Sequence, residues 1–420
     1  MLSLLFLFAI NTPIAIAIGV ASIFSIIVQG DFPLMMVVQR MFGGTDSFHL
    51  LAVPLFMFVG VIMEAGGISR RIIDFANALV GWLPGGLAAV AIVSAMFFAG
   101  ISGSAAADTA AVGAILIPAM QRSGYEPDFA AAVQASGGSI GVIIPPSIPM
   151  IIFGYLTGVS ISQLFAAGIL PGVLIGISLI GVATLISWKQ GYAATAAFSM
   201  SEVWRSLKRA MLALGTPVII LGGILGGIFT ATESAAVAVV YALVIGMFVY
   251  RKIKFKDLVS LFSEGAVTAA IVMFIIATAS IFSWIAAIED IPARLAGTLL
   301  GMTSSPVLLL LMINLILLVA GTFVETTAAL ILLVPMIAAM LPVLKIDMIH
   351  LGAIVVINLA IGMLTPPMGI CLIVSSSLSD SSLTAVSKRI LPFLAILLVD
   401  LLLITFYAPL TMWMAHLVAK

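Results

Sequence analysis

"AGISGSAAADTAAVGAIL", from Ala99 to Leu116, places two serines, three glycines, an aspartate and a threonine among alanine, valine and isoleucine. A polar, helix-breaking patch in such surroundings has to be explained by the rest of the chain. Of the 420 residues, 63% are apolar and 8% charged, and the mean hydropathy is +1.32. No soluble domain carries that composition, and a membrane-spanning helix needs ~20 apolar residues. The apolar runs are long and lack two-residue alternation, so the fold class is an all-α polytopic membrane protein rather than a barrel. A formal net charge of zero argues against nucleic acid as a partner. Cys371, the single cysteine, forms no internal disulfide and has no metal-ligand spacing. No Walker-type glycine loop occurs, so an ATPase or catalytic domain would have to sit on another chain. Met1 to Val28 lacks a basic leader and a cleavage signal, and reads as a first helix that is retained.

Basic residues cluster at Arg70 and Arg71, Arg122, Lys189, Arg205 to Arg209, Arg251 to Lys256, and Lys388 with Arg389. The positive-inside rule puts these on the cytoplasmic side. "TATES" (Thr230 to Ser234) is then an outer turn between two crossings. Pro171 to Trp188 runs inward, Ala266 to Ile288 runs outward to "EDIPAR" (Glu289 to Arg294), and Leu391 to Trp413 runs outward, leaving both termini outside. Between Ser199 and Leu214, Val203, Leu207, Met211 and Leu214 share one face, and Arg205, Lys208 and Arg209 the other. That pattern predicts a helix along the cytoplasmic interface, with Ser199 and Glu202 spaced as a capping box.

Two parts of the chain share a skeleton. Asp108-Thr109 is followed ten residues after the acid by Pro118, then by "GVIIPPSIP" from Gly141; Glu325-Thr326 is followed at the same distance by Pro335, then by "GMLTPPMG" from Gly362. The offsets are 217 and 221 residues. Weaker echoes pair Glu64 and Arg70 with Glu289 and Arg294, and Thr12-Pro13 with Thr216-Pro217. Arg70 lies inside and Arg294 outside by the charge argument, so the repeats are inverted, the architecture of secondary transporters.

Ala88 to Ile101 and Ala105 to Met120 are each short for a span, and the polar stretch between them becomes a hairpin tip. Val307 to Ala320, the tip "GTFVET" (Gly321 to Thr326) and Ala328 to Leu341 mirror it. Downstream, the tandem prolines at Pro145 and Pro366 break two further helices. Broken helices at membrane depth survive only where protein buries them or they line a cavity, so the four interruptions can converge. There, freed carbonyls and the hydroxyls of Ser102, Ser104, Ser139, Ser147, Thr322 and Thr365 suit Na⁺, and half-helix N-termini attract an anion. Gly103, Gly137, Gly141, Gly321 and Gly362 allow close approach. Asp108 and Glu325, each followed by a threonine (Thr109 and Thr326), either cap the returning helices or couple ions; Thr322 and Glu325 have capping-box spacing. Glu233 reads as a cap after Thr232, Asn314 and Asn358 as interhelical hydrogen bonds, and Gly222, Gly223, Gly226 and Gly227 as close-packing positions. No cofactor beyond Na⁺ is called for.

A rival from another class is an intramembrane serine protease, since "GISG" (Gly100 to Gly103) contains Gly-x-Ser-Gly. A serine nucleophile needs a histidine within reach, and His49, His350 and His416 all fall at segment ends.

"SFHLLAVPLFMFVGVIMEAGGISRRI", "GISGSAAADTAAVGAILIPAM", "GGSIGVIIPPSIPMIIFG", "LFAAGILPG", "GGIFTATESAAVAVVYAL" and "IGMLTPPMG" together resemble the large membrane subunit of the tripartite ATP-independent periplasmic (TRAP) transporters, over nearly the whole chain. Ala231 stands where that family more often has proline. The resemblance implies a multi-pass permease of the bacterial inner membrane, not an enzyme. It implies work with a small four-helix membrane subunit and a periplasmic substrate-binding protein, driven by Na⁺, on organic acids such as C4-dicarboxylates, sialic acids or other sugar acids. It also implies an inverted-repeat elevator with two helical hairpins, their tips at Ser102 to Asp108 and Gly321 to Glu325, and two broken helices, their loops at Gly141 to Ser147 and Gly362 to Met368. Scaffold would occupy 1–83 and, with interfacial arm helices, 166–300; transport-domain halves would occupy 84–165 and 301–385; and 386–420 would be a C-terminal transmembrane helix. The sodium and substrate residues would be Ser102, Gly103, Ser104, Asp108, Gly137, Ser139, Gly141, Pro145, Ser147, Gly321, Thr322, Glu325, Thr326, Gly362, Thr365 and Pro366, with a second arm starting near Lys256. A one-component sodium/anion symporter of related architecture is the alternative.

Overall fold

Residues 2–10 and 12–418 are described by the computed structural model, and among them every regular element is helical. Among the described residues, five helices are long and apolar enough to cross a membrane, or up to eight if each bent pair is one span. The chain is a multi-pass membrane protein.

Several elements differ from the sequence expectation, each for a local reason. The expected first helix is two, Leu2–Ala9 and Ile14–Gln29. Pro13, at φ −52° and ψ 135°, stands at the start of the second and cannot continue the first. The expected C-terminal crossing bends by 57° between Leu391–Phe406 and Pro409–Val418, because the chain turns out of helical geometry at Tyr407 ahead of another proline. The stretch Ser199 to Leu214 is not a separate interfacial helix. It is the first half of Met200–Leu225, 26 residues with Pro217 inside. Likewise, the region after Lys256 continues as Leu258–Ile288, 31 residues. At 1.5 Å per residue these are about 39 and 46 Å long, beyond the ~30 Å hydrocarbon core, so each joins a polar section to a spanning one.

The caps are also redistributed. Ser199 makes no side-chain cap bond, and Glu202 instead pairs with Arg205 at 2.8 Å. The capping box at "TATES" forms between Thr230 and Glu233, while Thr232 donates to the Phe48 carbonyl at 2.9 Å. Gly226 and Gly227 end the helix Met200–Leu225 rather than pack against a neighbour.

The two halves pair their pieces in the same way. Gly86–Ser102 and Ala105–Arg122 form the first hairpin, and Pro306–Phe323 and Thr326–Ala338 the second. Each inbound helix lies along the first half of the broken helix in its own repeat, Pro127–Ser139 or Met348–Gly362. Each return helix lies against the second half of the other repeat's broken helix: Ala105–Arg122 on Ile370–Ser379, and Thr326–Ala338 on Ile148–Thr157. This reciprocal exchange locks the repeats together. Small buried side chains such as Ala88, Ala91, Ala95 and Ala99 let the helices approach closely enough for dispersion contacts to hold them where lipid supplies no hydrophobic drive.

Candidate functional site

The first tip is narrower than expected. Gly86–Ser102 ends when Gly103 turns to φ +65°, and Ser104 caps the return helix by accepting from the Ala107 amide. Only Gly103 and Ser104 interrupt the helices. The tip sits directly on the proline-broken loop: Ile148 N donates to the Gly103 carbonyl at 3.3 Å. A Cβ on Gly103 would stand 2.8 Å from Pro146 O. The Pro145-Pro146 peptide is cis. Ser147 donates to Val142 O at 2.6 Å and accepts from Met150 N, so it caps the second half of the broken helix.

Asp108 does not cap. It lies one turn inside the return helix, 1% exposed, and its Oδ1 accepts from the Ser102 hydroxyl. Oδ2 has no partner and is fully buried. It packs directly over Gly141, where an added Cβ would collide with Oδ2 and lie 3.0 Å from the Ser104 carbonyl oxygen. Two oxygens from the hairpin thus close on residue 141, which leaves them room only because it has no side chain. A buried acceptor without a donor is a place for a cation or a water. The donor set, carboxylate plus carbonyl plus nearby hydroxyl, is the hard-oxygen type that Na⁺ prefers.

The second tip is built differently. Val324 is extended and Glu325 is itself the cap of Thr326–Ala338, taking the amides of Thr327 at 2.8 Å and Ala328 at 3.3 Å, and the Thr327 hydroxyl at 3.1 Å. The expected Thr322–Glu325 capping box is absent: Thr322 is still inside the inbound helix and donates to Leu318 O. Gly321 and Gly362 meet backbone to backbone; a Cβ on Gly362 would lie 2.6 Å from Gly321 Cα. Thr326 donates to Met363 Sδ at 3.2 Å, and Thr365 to Ile361 O. Pro366-Pro367 is cis. The first loop is buried from Gly141 to Met150 apart from Ile144, whereas Pro367 and Met368 are exposed.

Of the expected site residues, Ser102, Gly103, Ser104, Asp108, Gly141, Pro145 and Ser147 lie together at the first tip, and Gly321, Thr322, Glu325, Thr326, Gly362, Thr365 and Pro366 belong to the second tip and its loop. Ser139 bonds within its own helix to Ser136 O, and Gly137 packs on Ile92 and Ala95 of the inbound helix. Sequence reasoning missed Gln134, whose amide reaches the Asp108 and Thr109 carbonyls at 3.4 Å, because nothing local marks a partner 25 residues away. It also passed over Asp400, buried and bonded to Ser178 at 3.1 Å, although a lone acid in "LLVDLLL" was signal enough. Asn358 donates to Asn314 O and Oδ1 at 3.0 Å, an interhelical bond as expected. Ser102 bonds to a carboxylate, while His350 bonds to Thr411 and the Thr405 carbonyl, so the serine-histidine arrangement of the protease reading is not formed.

A profile of the family described as "Tripartite ATP-independent periplasmic transporter, DctM component" matches residues 1–410. The chain is 41% identical over 407 residues to the isethionate TRAP transporter permease protein DctMQ of Oleidesulfovibrio alaskensis; the match covers 97% of this chain and spans 64% of that protein's length. It is 38% identical to the sialic acid TRAP transporter large permease protein SiaM of Vibrio cholerae, over 90% of this chain and 89% of that one. In three dimensions it is similar to the YdaH transporter of Alcanivorax borkumensis, whose crystal structure is described as having an unusual topology. The TM-score is 0.62 at 16% identity, covering 89% of this chain and 87% of the other. At that identity the likeness concerns the fold.

Proposed function

Because this chain belongs to the DctM family of tripartite ATP-independent periplasmic transporters, we propose that it is the permease subunit of a Na⁺-driven importer of small organic acids in the bacterial inner membrane. Its partners in this reading are a small four-helix membrane subunit and a periplasmic binding protein. The substrate is isethionate, a sialic or other sugar acid, or a C4-dicarboxylate. The observation that carries the reading is the unpartnered, buried Oδ2 of Asp108, held over Gly141 beside the Ser104 carbonyl.

That arrangement suggests how ion and motion are coupled. An unpaired carboxylate at membrane depth costs roughly 2.5–3.5 kcal/mol on insertion scales. Na⁺ against Oδ2 forms a neutral pair, so the loaded hairpin moves through the membrane at lower cost than the empty one. The second half of the later broken helix starts at Ile370 with no side-chain cap, and its amide end favours the carboxylate or sulfonate of the substrate. The body built from the two hairpins and two broken helices would carry both solutes past the scaffold as an elevator.

Reconstituted uptake of isethionate, sialic acid and succinate, with both partners present, is the test. Replacing Na⁺ by choline is expected to stop uptake; undiminished uptake would remove the sodium coupling. Uptake without either partner would identify a one-component symporter instead.

A further inference from the structure

A second cavity lies well apart from the hairpin tips. It has a volume of about 270 Å³ and is lined by Asp74, Asn77, Trp82, Ser199, Glu202 and Arg209 among others. Its walls are the amphipathic helix Ile68–Val80, the first turns of Met200–Leu225, which packs against it, and the loop between Gly191 and Ser199. Arg70 and Arg71, Arg205 and Lys208 stand on the same two helices, and Lys189 in the last turn of the helix before the loop, which places the cavity at the cytoplasmic membrane surface by the positive-inside rule.

The charged side chains lining this cavity reach solvent, Asp74 and Arg209 among the exposed residues. Glu202 is paired with Arg205. Asp74 and Arg209 line the same space, and among the described residues neither forms an ion pair, with each other or with anything else. Opposite charges that share a cavity without neutralising one another fit a ligand carrying both signs. The Met200–Leu225 helix begins here with Ser199 making no side-chain cap bond; the Glu202 and Val203 amides donate to the Ser199 carbonyl, and the Met200 and Ser201 amides are left to add to Arg209 as an anion seat. An apolar lip adjoins the polar space. Trp82 (47% exposed) meets Phe198 (53% exposed) edge to face at 6.1 Å, and Met200 and Trp204 are exposed beside them. The volume is below the ~300 Å³ at which drug-sized pockets begin and suits a headgroup.

We propose that this cavity seats the headgroup of a membrane phospholipid bearing a primary amine, with its phosphate against Arg209 and the Ser199 helix start and its ammonium against Asp74. The acyl chains run over Phe198, Met200 and Trp204. A primary ammonium donates three hydrogen bonds, which Asp74 and Glu202 can accept; a quaternary one donates none and is held by aromatic cages, of which this cavity has no more than the Trp82 ring. The site is built on the two linkers that enter and leave the first hairpin region. Thr195 N donates to Gly81 O at 2.9 Å and Gly85 N to Tyr192 O at 3.0 Å, while the Thr195 hydroxyl donates to Asn77 Oδ1 at 2.8 Å. A bound headgroup therefore braces both linkers at once. The proposal depends on the membrane orientation of these helices and not on the transported substrate.

The test uses the full chain in nanodiscs of phosphatidylethanolamine or of phosphatidylcholine with the same acyl chains. Lipid retained after detergent extraction is read by native mass spectrometry, and amide exchange is followed across 191–199. Phosphatidylethanolamine is expected to be retained about fivefold over phosphatidylcholine, what one partly exposed ion pair supplies, and to slow exchange in that loop. Asp74→Asn should erase the preference, Arg209→Gln should release both lipids, and Ala197→Trp, which fills the cavity while leaving every charge in place, should do the same. Equal retention of the two lipids by the unaltered chain, or a preference that survives Asp74→Asn or Ala197→Trp, would overturn the proposal. So would protection of 191–199 by soluble phosphoethanolamine in lipid-free detergent, which would mark a site for a free phosphoester.

Discussion

At the first hairpin tip the acid stands one turn inside the return helix and Ser104 does the capping; at the second, the acid is the cap. Both acids precede a threonine and stand ten residues ahead of a proline, yet the helix break has moved by one turn relative to them. That displacement decides what each carboxylate is used for. Glu325 gives its oxygens to the Thr327 and Ala328 amides and the Thr327 hydroxyl. Asp108 spends one oxygen on Ser102 and leaves the other unpartnered against Gly141. Equivalent positions in a repeat can therefore diverge in role while keeping their spacing, because the cap position, and not the residue type, determines which backbone donors are within reach.

The largest expected contrast is between the glycines that face each tip. Gly141→Ala drives a methyl against Asp108 Oδ2 and Ser104 O. Uptake and radioactive-sodium binding should fall by about 100-fold or more, the loss expected when a charged group's partner is excluded, and the overpacking should cost about 1–3 kcal/mol of stability. Gly362→Ala meets the Gly321 and Leu318 backbone and no carboxylate, so it should cost a similar stability and change sodium binding far less. If the two variants behave alike, the tips are not different in kind.

The acids come next. Asp108→Asn keeps an acceptor for Ser102 but removes the charge; sodium affinity should drop about tenfold or more, as for a lost charge-assisted contact. Glu325→Gln weakens a cap, which costs about 0.5–1 kcal/mol of stability, and should leave sodium half-saturation within about threefold, since under 1 kcal/mol is at stake. A larger sodium effect at Glu325 than at Asp108 would reverse the assignment.

The smallest effects concern the hydroxyls. Ser102→Ala removes the single donor to Asp108 Oδ1, worth about 1 kcal/mol or about fivefold in sodium half-saturation. Thr322 bonds only to its own helix at Leu318 O, so Thr322→Ala should stay within about twofold. Titration of sodium binding in the two variants side by side measures the difference.

Much of the helical plan was legible because its signals are local. Glycine with serine at 103 and 104 and tandem prolines at 145 and 366 break helices wherever they stand. Proline alone was a poorer guide. The Thr-Pro pair at Thr12-Pro13 separates two helices, whereas the same pair at Thr216-Pro217 lies inside one continuous helix. There the helix Met200–Leu225 packs on Ile68–Val80 and Ala231–Val244, contacts whose energy outweighs one lost backbone bond. The redistribution of caps at Ser199, Thr230 and Glu325 was equally beyond reach, since Ser, Thr and Glu candidates compete within a turn and the winner depends on where the chain enters.

The order of residues alone established that this chain lives in a membrane, that it is helical, that it contains a twofold repeat of breaks, and which family it resembles. These follow from hydropathy, from backbone chemistry and from spacing, all properties that each segment carries by itself. Only the folded molecule decided that Asp108 retains an unpartnered oxygen, that Glu325 does not, and that Asp74 and Arg209 share a cavity unpaired. Each of those facts depends on side chains brought together from distant positions. Whether a polar atom is satisfied is a property of its surroundings in space, and no run of neighbouring residues contains it.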